Sequence, residues 1–177
     1  MINNSINFRV NYSPTNWERL SKSLQDDLTK IHRINRAQII KDSLSLARAN
    51  MLPYKIALDT TKYLNKELEY IPWAPAIAEL TYIGQMLGKS EGFDDFKDYI
   101  FKQLSTLFNK LGFKAKESDG VMEKMLQSLV VKTLCKLNYE PCIKSALEIY
   151  EMRRKCKYHK KFKVEGIISI LTGITLA

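Results

Sequence analysis

The sequence predicts an all-α protein built from stacked antiparallel helical hairpins. Through most of the 177 residues, apolar side chains recur three and four positions apart, which is the spacing of one face of an α-helix. Links of a few residues separate these stretches, and short links force neighbouring helices to run antiparallel. The hydrophobic fraction of 45% and the charged fraction of 27% are ordinary for a folded domain and exclude a disordered chain.

One short segment near the N-terminus departs from helical spacing. Phe8, Val10 and Tyr12 alternate with polar residues, which predicts a β-strand. Ser13 and Pro14 close this segment and supply the start signal of a helix. Because a lone strand cannot form a sheet, we expect a strand remnant without its partners.

Seven predicted helices follow in the order of the chain. Trp17, Leu20 and Leu24 share one face of the first helix. Gly88 and Gly112 are expected to end the fourth and fifth helices, because glycine readily adopts the conformation that stops a helix. The expected helical ranges are 16–28, 33–49, 56–64, 72–87, 93–111, 121–137 and 141–154. In the last of these, we expect Leu147, Ile149 and Tyr150 to lack a packing partner.

Motifs for catalysis and metal binding are missing from the sequence. Its two histidines, His32 and His159, have no Cys, Asp or Glu at a recognised metal spacing, and there is no H-E-x-x-H. Glycine-rich phosphate loops and the G-x-S-x-G nucleophile motif are also absent. We therefore expect neither a catalytic residue nor a metal ligand, and we interpret each histidine as a surface or capping residue.

Two of the three cysteines lie close in sequence. Cys135 and Cys142 are seven residues apart, which is about 10.5 Å along an unbroken helix and too far for a disulfide. Asn138 can end one helix and Pro141 can start the next, which folds the second cysteine back towards the first. The spacing leaves two readings equally open, a disulfide or two buried free thiols. Cys156 has no evident partner.

The net charge of +9 is concentrated in one window. Seven bases and no acid lie between Arg153 and Lys163, and the rest of the chain holds 21 bases against 19 acids. This distribution gives no clear nucleic-acid face. The window is a patch for an anionic partner or, as the alternative, a solvated tail. No segment reaches the roughly 20 apolar residues of a membrane span, and the Asn-rich start is not a signal peptide.

Several motifs together resemble one enzyme family. The run from Phe8 to Tyr12, followed by Asn16-Trp17, resembles the point in aminopeptidase N-like zinc metallopeptidases where a β-sandwich ends and a C-terminal helical domain begins. Further matching runs are Ile31 to Ile40, Tyr63-Leu64 through Trp73, and Cys135-Lys136-Leu137 with Cys142.

The resemblance implies a domain organisation. Residues 1–13 are expected to end a β-sandwich domain, and residues 14–154 to form a truncated C-terminal helical domain. Residues 155–177 form a basic and then apolar tail unlike the family. The helical domain of the family is an α-solenoid, an armadillo/HEAT-like bowl, of which this chain would be a fragment. Its paired cysteines are disulfide-bonded in extracellular members, which makes Cys135 and Cys142 disulfide candidates.

The resemblance also implies a parent activity, a hydrolase that removes N-terminal residues from peptides with a zinc-activated water. That chemistry needs H-E-x-x-H and a G-A-M-E-N loop, which are absent, so no catalytic or metal residue is carried over and zinc belongs to the catalytic domain of the parent. We expect a non-catalytic part that covers the active site and gates peptide access. Its partners would be the peptide substrate and the catalytic domain. The residues expected to line the bowl or contact that domain are Arg36, Asp42, Tyr70 and Trp73.

A second function class remains open from the sequence. A helical adaptor would bind a protein or an anionic partner through its hairpin surface or its basic tail. The resemblance indicates an extracellular or membrane-associated parent, whereas the missing signal peptide leaves a cytoplasmic location open.

Overall fold

The computed structural model describes residues 9–88 and 90–155. These residues fall into two compact units, with the boundary after Gly88. The α-helices are α1 (Pro14–Asp26), α2 (Arg33–Arg48), α3 (Tyr54–Asp59), α4 (Tyr70–Leu87), α5 (Gly92–Leu111), α6 (Val121–Lys136) and α7 (Glu140–Lys155). Two 3₁₀ turns, Leu28–Lys30 and Lys62–Lys66, lie in the first unit. The predicted all-α class is confirmed for the residues described.

The first unit contains α1 to α4. Helix α2 packs against α3 and α4, while α1 packs against α3 and both 3₁₀ turns. The largest apolar and aromatic side chains that are fully buried in this unit are Trp17, Leu24, Ile40, Leu44, Tyr63, Leu64, Trp73 and Leu80. Burying each of these side chains contributes on the order of 1.5–3 kcal/mol, so this shared core holds the helices together.

The second unit contains α5 to α7. Helix α6 packs against both α5 and α7. Tyr139, in the link between α6 and α7, packs its ring on Phe101 and Phe108 of α5, with ring centroids 4.9 and 6.0 Å apart. The buried apolar residues of this unit include Ile100, Leu104, Leu126, Val130 and Leu134. The stacking of these helices as antiparallel hairpins in one solenoid stays a prediction.

Most helix boundaries follow from local chemistry that the sequence displays. The Ser13 hydroxyl accepts a hydrogen bond from Asn16 N at 3.4 Å, and Pro14 occupies the first helical position of α1. His32 caps α2 by accepting from Ile34 N, which confirms its interpretation as a capping residue. Gly88, at φ 48°, ends α4 as predicted.

The predicted third helix is wrong in its length. The structure divides it into the short α3 and the 3₁₀ turn Lys62–Lys66. The hydroxyls of Thr60 and Thr61 donate to the carbonyls of Ala57 and Leu58, each at 2.7 Å. Such side-chain bonds to the backbone compete with the helical pattern, so the helix ends at Asp59.

The predicted strand does not form over the residues described. Arg9 to Ser13 belong to neither a helix nor a strand, and Phe8 lies outside the described residues. The reason is the one the sequence indicates: a strand needs a neighbouring strand for its hydrogen bonds, and none is present between residues 9 and 155 where the structure describes the chain.

The last helix confirms one part of a prediction and corrects another. Leu147 and Tyr150 are half-exposed on α7, whereas Ile149 is buried. These positions point in different directions around a helix because consecutive residues are rotated by about 100°. Across the described ranges, no helix combines the length and the apolarity that crossing a membrane requires.

Candidate functional site

A buried ion pair ties the first unit together. Arg36, on α2, donates from Nε and Nη2 to the two carboxylate oxygens of Glu67, at 2.7 and 3.1 Å. Its remaining nitrogen, Nη1, donates to the carbonyls of Leu28 and Ile31, at 3.1 and 2.7 Å. Both side chains are almost wholly buried, and the bidentate geometry is the strongest arrangement available to this pair. The guanidinium thus joins α2, the turn before it and the segment before α4.

The Glu67 carboxylate is fully engaged. Besides the two bonds from Arg36, its Oε1 accepts from the backbone nitrogens of Leu68 and Glu69, both at 3.0 Å. Trp73 completes the cluster, because its indole Nε1 donates to the Glu67 carbonyl at 3.0 Å. A carboxylate that accepts four hydrogen bonds is held in one position, so Glu67 ties the segment before α4 to α2.

Tyr63 lies beside this cluster with a hydroxyl that has no hydrogen-bond partner in the residues described. Burial raises the pKa of the Tyr63 phenol well above its usual value near 10. The Glu67 carboxylate raises this pKa further, while the Arg36 guanidinium opposes the shift. Tyr63 therefore stays protonated in the folded protein at every pH at which the protein is ordinarily handled.

The Tyr63 shift predicts a pH dependence of stability. Above pH 10 the unfolded chain loses a proton that the folded chain keeps, so the free energy of unfolding falls as pH rises, by up to about 1.4 kcal/mol per unit. Tyr63→Phe should flatten this decline, and Tyr54→Phe, a change at an exposed tyrosine, should leave it unaltered. Urea unfolding between pH 8 and 11.5 measures all three proteins. Equal slopes of the free energy of unfolding against pH in wild type and Tyr63→Phe contradict the prediction.

The other expected contact residues occupy different environments. Asp42 is buried on α2 and accepts a hydrogen bond from Gln38 Nε2 at 2.8 Å. Tyr70, the first residue of α4, is half-buried. The structure therefore brings Arg36 and Trp73 together around Glu67, and it does not bring Asp42 or Tyr70 into a shared polar cluster with them.

A disulfide joins α6 to α7. Cys135 and Cys142 are bonded through their sulfurs, with Cα atoms 5.4 Å apart and both side chains fully buried. Asn138 adopts a positive φ of 61°, and Tyr139 N donates to the Leu134 carbonyl at 2.9 Å. This turn ends α6 and places the start of α7 beside it, so the first of the two readings left open by the spacing is the one adopted.

Sequence reasoning missed Glu67, which is the centre of the polar cluster. Glu67 lies in the irregular segment before α4, where no apolar periodicity marks a residue as buried. The sequence points to Glu67 only indirectly, through Arg36, because an arginine that is buried needs an acidic partner.

The described residues also include a shallow cleft of about 210 Å³ in the first unit. Its lining residues are Trp17, Glu18, Ser21, Gln25, Ile56, Asp59 and Lys62. Asp59 and Lys62 are paired with each other at 2.6 Å. In the ranges that the structure describes, no three His, Cys, Asp or Glu side chains are grouped so that they could hold a metal ion. The fold and the buried cluster together define a helical scaffold.

Comparison with known proteins identifies the family of this scaffold. Residues 3–160 match the family described as the ERAP1-like C-terminal domain, and the chain belongs to that family. It is 38% identical to Aminopeptidase N of Mus musculus over 152 residues, which cover 84% of this chain and 16% of that protein. It is 37% identical to Aminopeptidase N of Plutella xylostella over 139 residues, covering 78% of this chain and 15% of that protein.

A third relative has a different name. The chain is 34% identical to Aminopeptidase Ey of Gallus gallus over 152 residues, which cover 84% of this chain and 16% of that protein. The chain thus spans about one sixth of the length of these curated relatives. The resemblance to a C-terminal helical domain of aminopeptidase N-like enzymes is therefore confirmed.

Proposed function

We propose that this chain serves as a non-catalytic part of an aminopeptidase N-like exopeptidase, where it covers the active site and limits which peptides enter. The observation that carries the proposal is the family match over residues 3–160, together with similarity to Aminopeptidase N over 152 residues. In this proposal residues 1–13 end a β-sandwich domain, and the helices form a fragment of a bowl.

The packing of the first unit supports such a role. A cover that excludes large peptides has to keep its shape when a peptide presses against it. The bidentate pair of Arg36 and Glu67 and the bond from the Trp73 indole fix α2 and α4 to the segments between them. Asp42 and Tyr70 are proposed to line the bowl or to contact the catalytic domain.

The catalytic metal is assigned to another part of the parent protein. The family resemblance implies zinc, but the described residues offer no ligand group for it, and the sequence has no H-E-x-x-H. We therefore derive no chemical step for this chain, and we place peptide hydrolysis in the catalytic domain, which would be its partner.

A chimeric enzyme tests the gating proposal. The 152 residues of this chain that align with mouse Aminopeptidase N replace the matched segment of that enzyme. The value of kcat/KM is then measured for a short chromogenic aminoacyl substrate and for a peptide of ten or more residues. We expect hydrolysis of the short substrate to persist while the long-to-short ratio of kcat/KM changes by about threefold or more. An unchanged ratio in an active chimera contradicts gating.

The isolated chain provides the matching control. Purified, it should neither hydrolyse aminoacyl-nitroanilides nor bind zinc stoichiometrically. Zinc-dependent turnover that remains after repurification overturns the assignment of catalysis to another domain.

An adaptor function is the second candidate, and an exposed apolar stripe favours it. Leu147 and Tyr150 lie three residues apart on α7 and are half-exposed, and Ile143, four residues before Leu147, is only partly buried. Such a stripe suits a partner helix. Capture of a partner protein by the wild-type chain that is lost when Leu147 and Tyr150 are replaced favours the adaptor function. It does so only if the chimera also shows no change in the long-to-short ratio of kcat/KM.

A further inference from the structure

Residues 9–12, which we call the clasp segment, are attached to the first unit through few contacts. Asn11 Oδ1 accepts a hydrogen bond from the Trp17 indole Nε1 at 3.0 Å, and Asn11 Nδ2 donates to the Met51 carbonyl at 3.4 Å. Tyr12 packs edge-on against the Trp17 ring, with centroids 5.1 Å apart. One asparagine therefore bridges α1 and the link between α2 and α3.

The clasp segment has no secondary structure of its own. Between residues 9 and 12, the described chain makes no backbone–backbone hydrogen bond. Val10 and Tyr12 are more than 40% exposed, whereas Trp17 is completely buried. A segment held by side-chain contacts alone opens at a lower free energy than the core it covers.

We propose that the clasp segment is a latch that opens and closes while the rest of the first unit stays folded. The two side-chain hydrogen bonds of Asn11 hold it closed. When the latch is closed, the Asn11 amide and the Tyr12 ring cover the indole edge of Trp17. When it opens, that edge meets water and the chain ahead of α1 is free to change direction.

The latch also affects the cleft in the first unit. Trp17 is bonded to Asn11 and at the same time lines the cleft, together with Glu18 and Ser21 of α1. Closing the latch thus fixes one wall of the cleft. The importance of this coupling for peptide gating rests on the proposed function, whereas the latch itself does not.

Hydrogen exchange of the two indole groups tests the latch in the full chain. Trp17 Nε1–H donates to Asn11, and Trp73 Nε1–H donates to the Glu67 carbonyl in the core. Asn11→Ala removes both side-chain hydrogen bonds of Asn11, and we expect the exchange of the Trp17 indole proton to become about tenfold faster. The Trp73 indole proton should exchange at its wild-type rate. NMR resolves the two resonances separately.

Asn35→Ala is the matched control, because Asn35 is an exposed asparagine of α2. It should change neither indole proton. An unchanged exchange rate of the Trp17 indole proton in Asn11→Ala overturns the latch proposal, since Asn11 would then not hold the segment closed. Equal acceleration of both indole protons also overturns it, because the opening would then be unfolding of the whole unit. A gating chimera that fails does not change the interpretation of the exchange experiment, because the exchange is measured on this chain and not on the chimera.

Discussion

Replacing Glu67 with alanine is expected to lower the free energy of unfolding of the first unit by about 3–5 kcal/mol. The change leaves the Arg36 guanidinium buried with two of its donors unpaired, and it frees the backbone nitrogens of Leu68 and Glu69. Removing one partner of a buried charge pair is far more damaging than removing the pair. Urea unfolding monitored by tryptophan fluorescence measures the loss.

Two further variants separate the buried charge from lost packing. Arg33→Ala removes an exposed pair with Glu69, 3.5 Å long, and should change stability by less than about 1 kcal/mol. The double variant Arg36→Met with Glu67→Leu should recover a large part of the stability lost in Glu67→Ala. If Glu67→Ala proves no more destabilising than Arg33→Ala, the cluster does not hold the unit together.

Loss of the disulfide is expected to destabilise the second unit by about 2.5 kcal/mol, because the bond closes a loop of eight residues in the unfolded chain. The double variant Cys135→Ala with Cys142→Ala tests this in guanidinium unfolding. Cys156→Ala is the control, since it removes a cysteine outside the described residues. Reducing agent should weaken the wild type and leave the double variant unaffected.

The hairpin itself should survive the loss of the bond. Tyr139 packs on Phe101 and Phe108, and the turn keeps its own backbone hydrogen bonds. The helical circular dichroism of the double variant should therefore equal that of wild type in the absence of denaturant. A large loss of helical signal shows that the disulfide, and not the turn, positions α7.

The fold class and most helix boundaries could be predicted from the sequence, because they depend on local chemistry. A serine followed by proline starts α1, and Gly88 and Gly112 end α4 and α5. The break inside the third helix was missed, since it depends on how the hydroxyls of Thr60 and Thr61 compete with the backbone. Apolar spacing carries no information about that competition.

The polar cluster was only half predictable. Motif resemblance selected Arg36 and Trp73, but it did not show that both bond to Glu67. A carboxylate in an irregular segment looks exposed until a partner 31 residues away in sequence is placed beside it. The disulfide was likewise open from spacing alone, because its formation depends on a turn whose direction is set by Asn138 at positive φ.

That turn has a consequence for oxidation. Three cysteines permit three different single disulfides, and only one of them matches the native pairing. The turn at Asn138, with its own backbone hydrogen bonds, places Cys135 and Cys142 on consecutive helices, and their Cα atoms lie 5.4 Å apart in the bonded pair. In a chain that has formed this turn, the two thiols meet at high effective concentration, which favours the native pair over mispairing with Cys156.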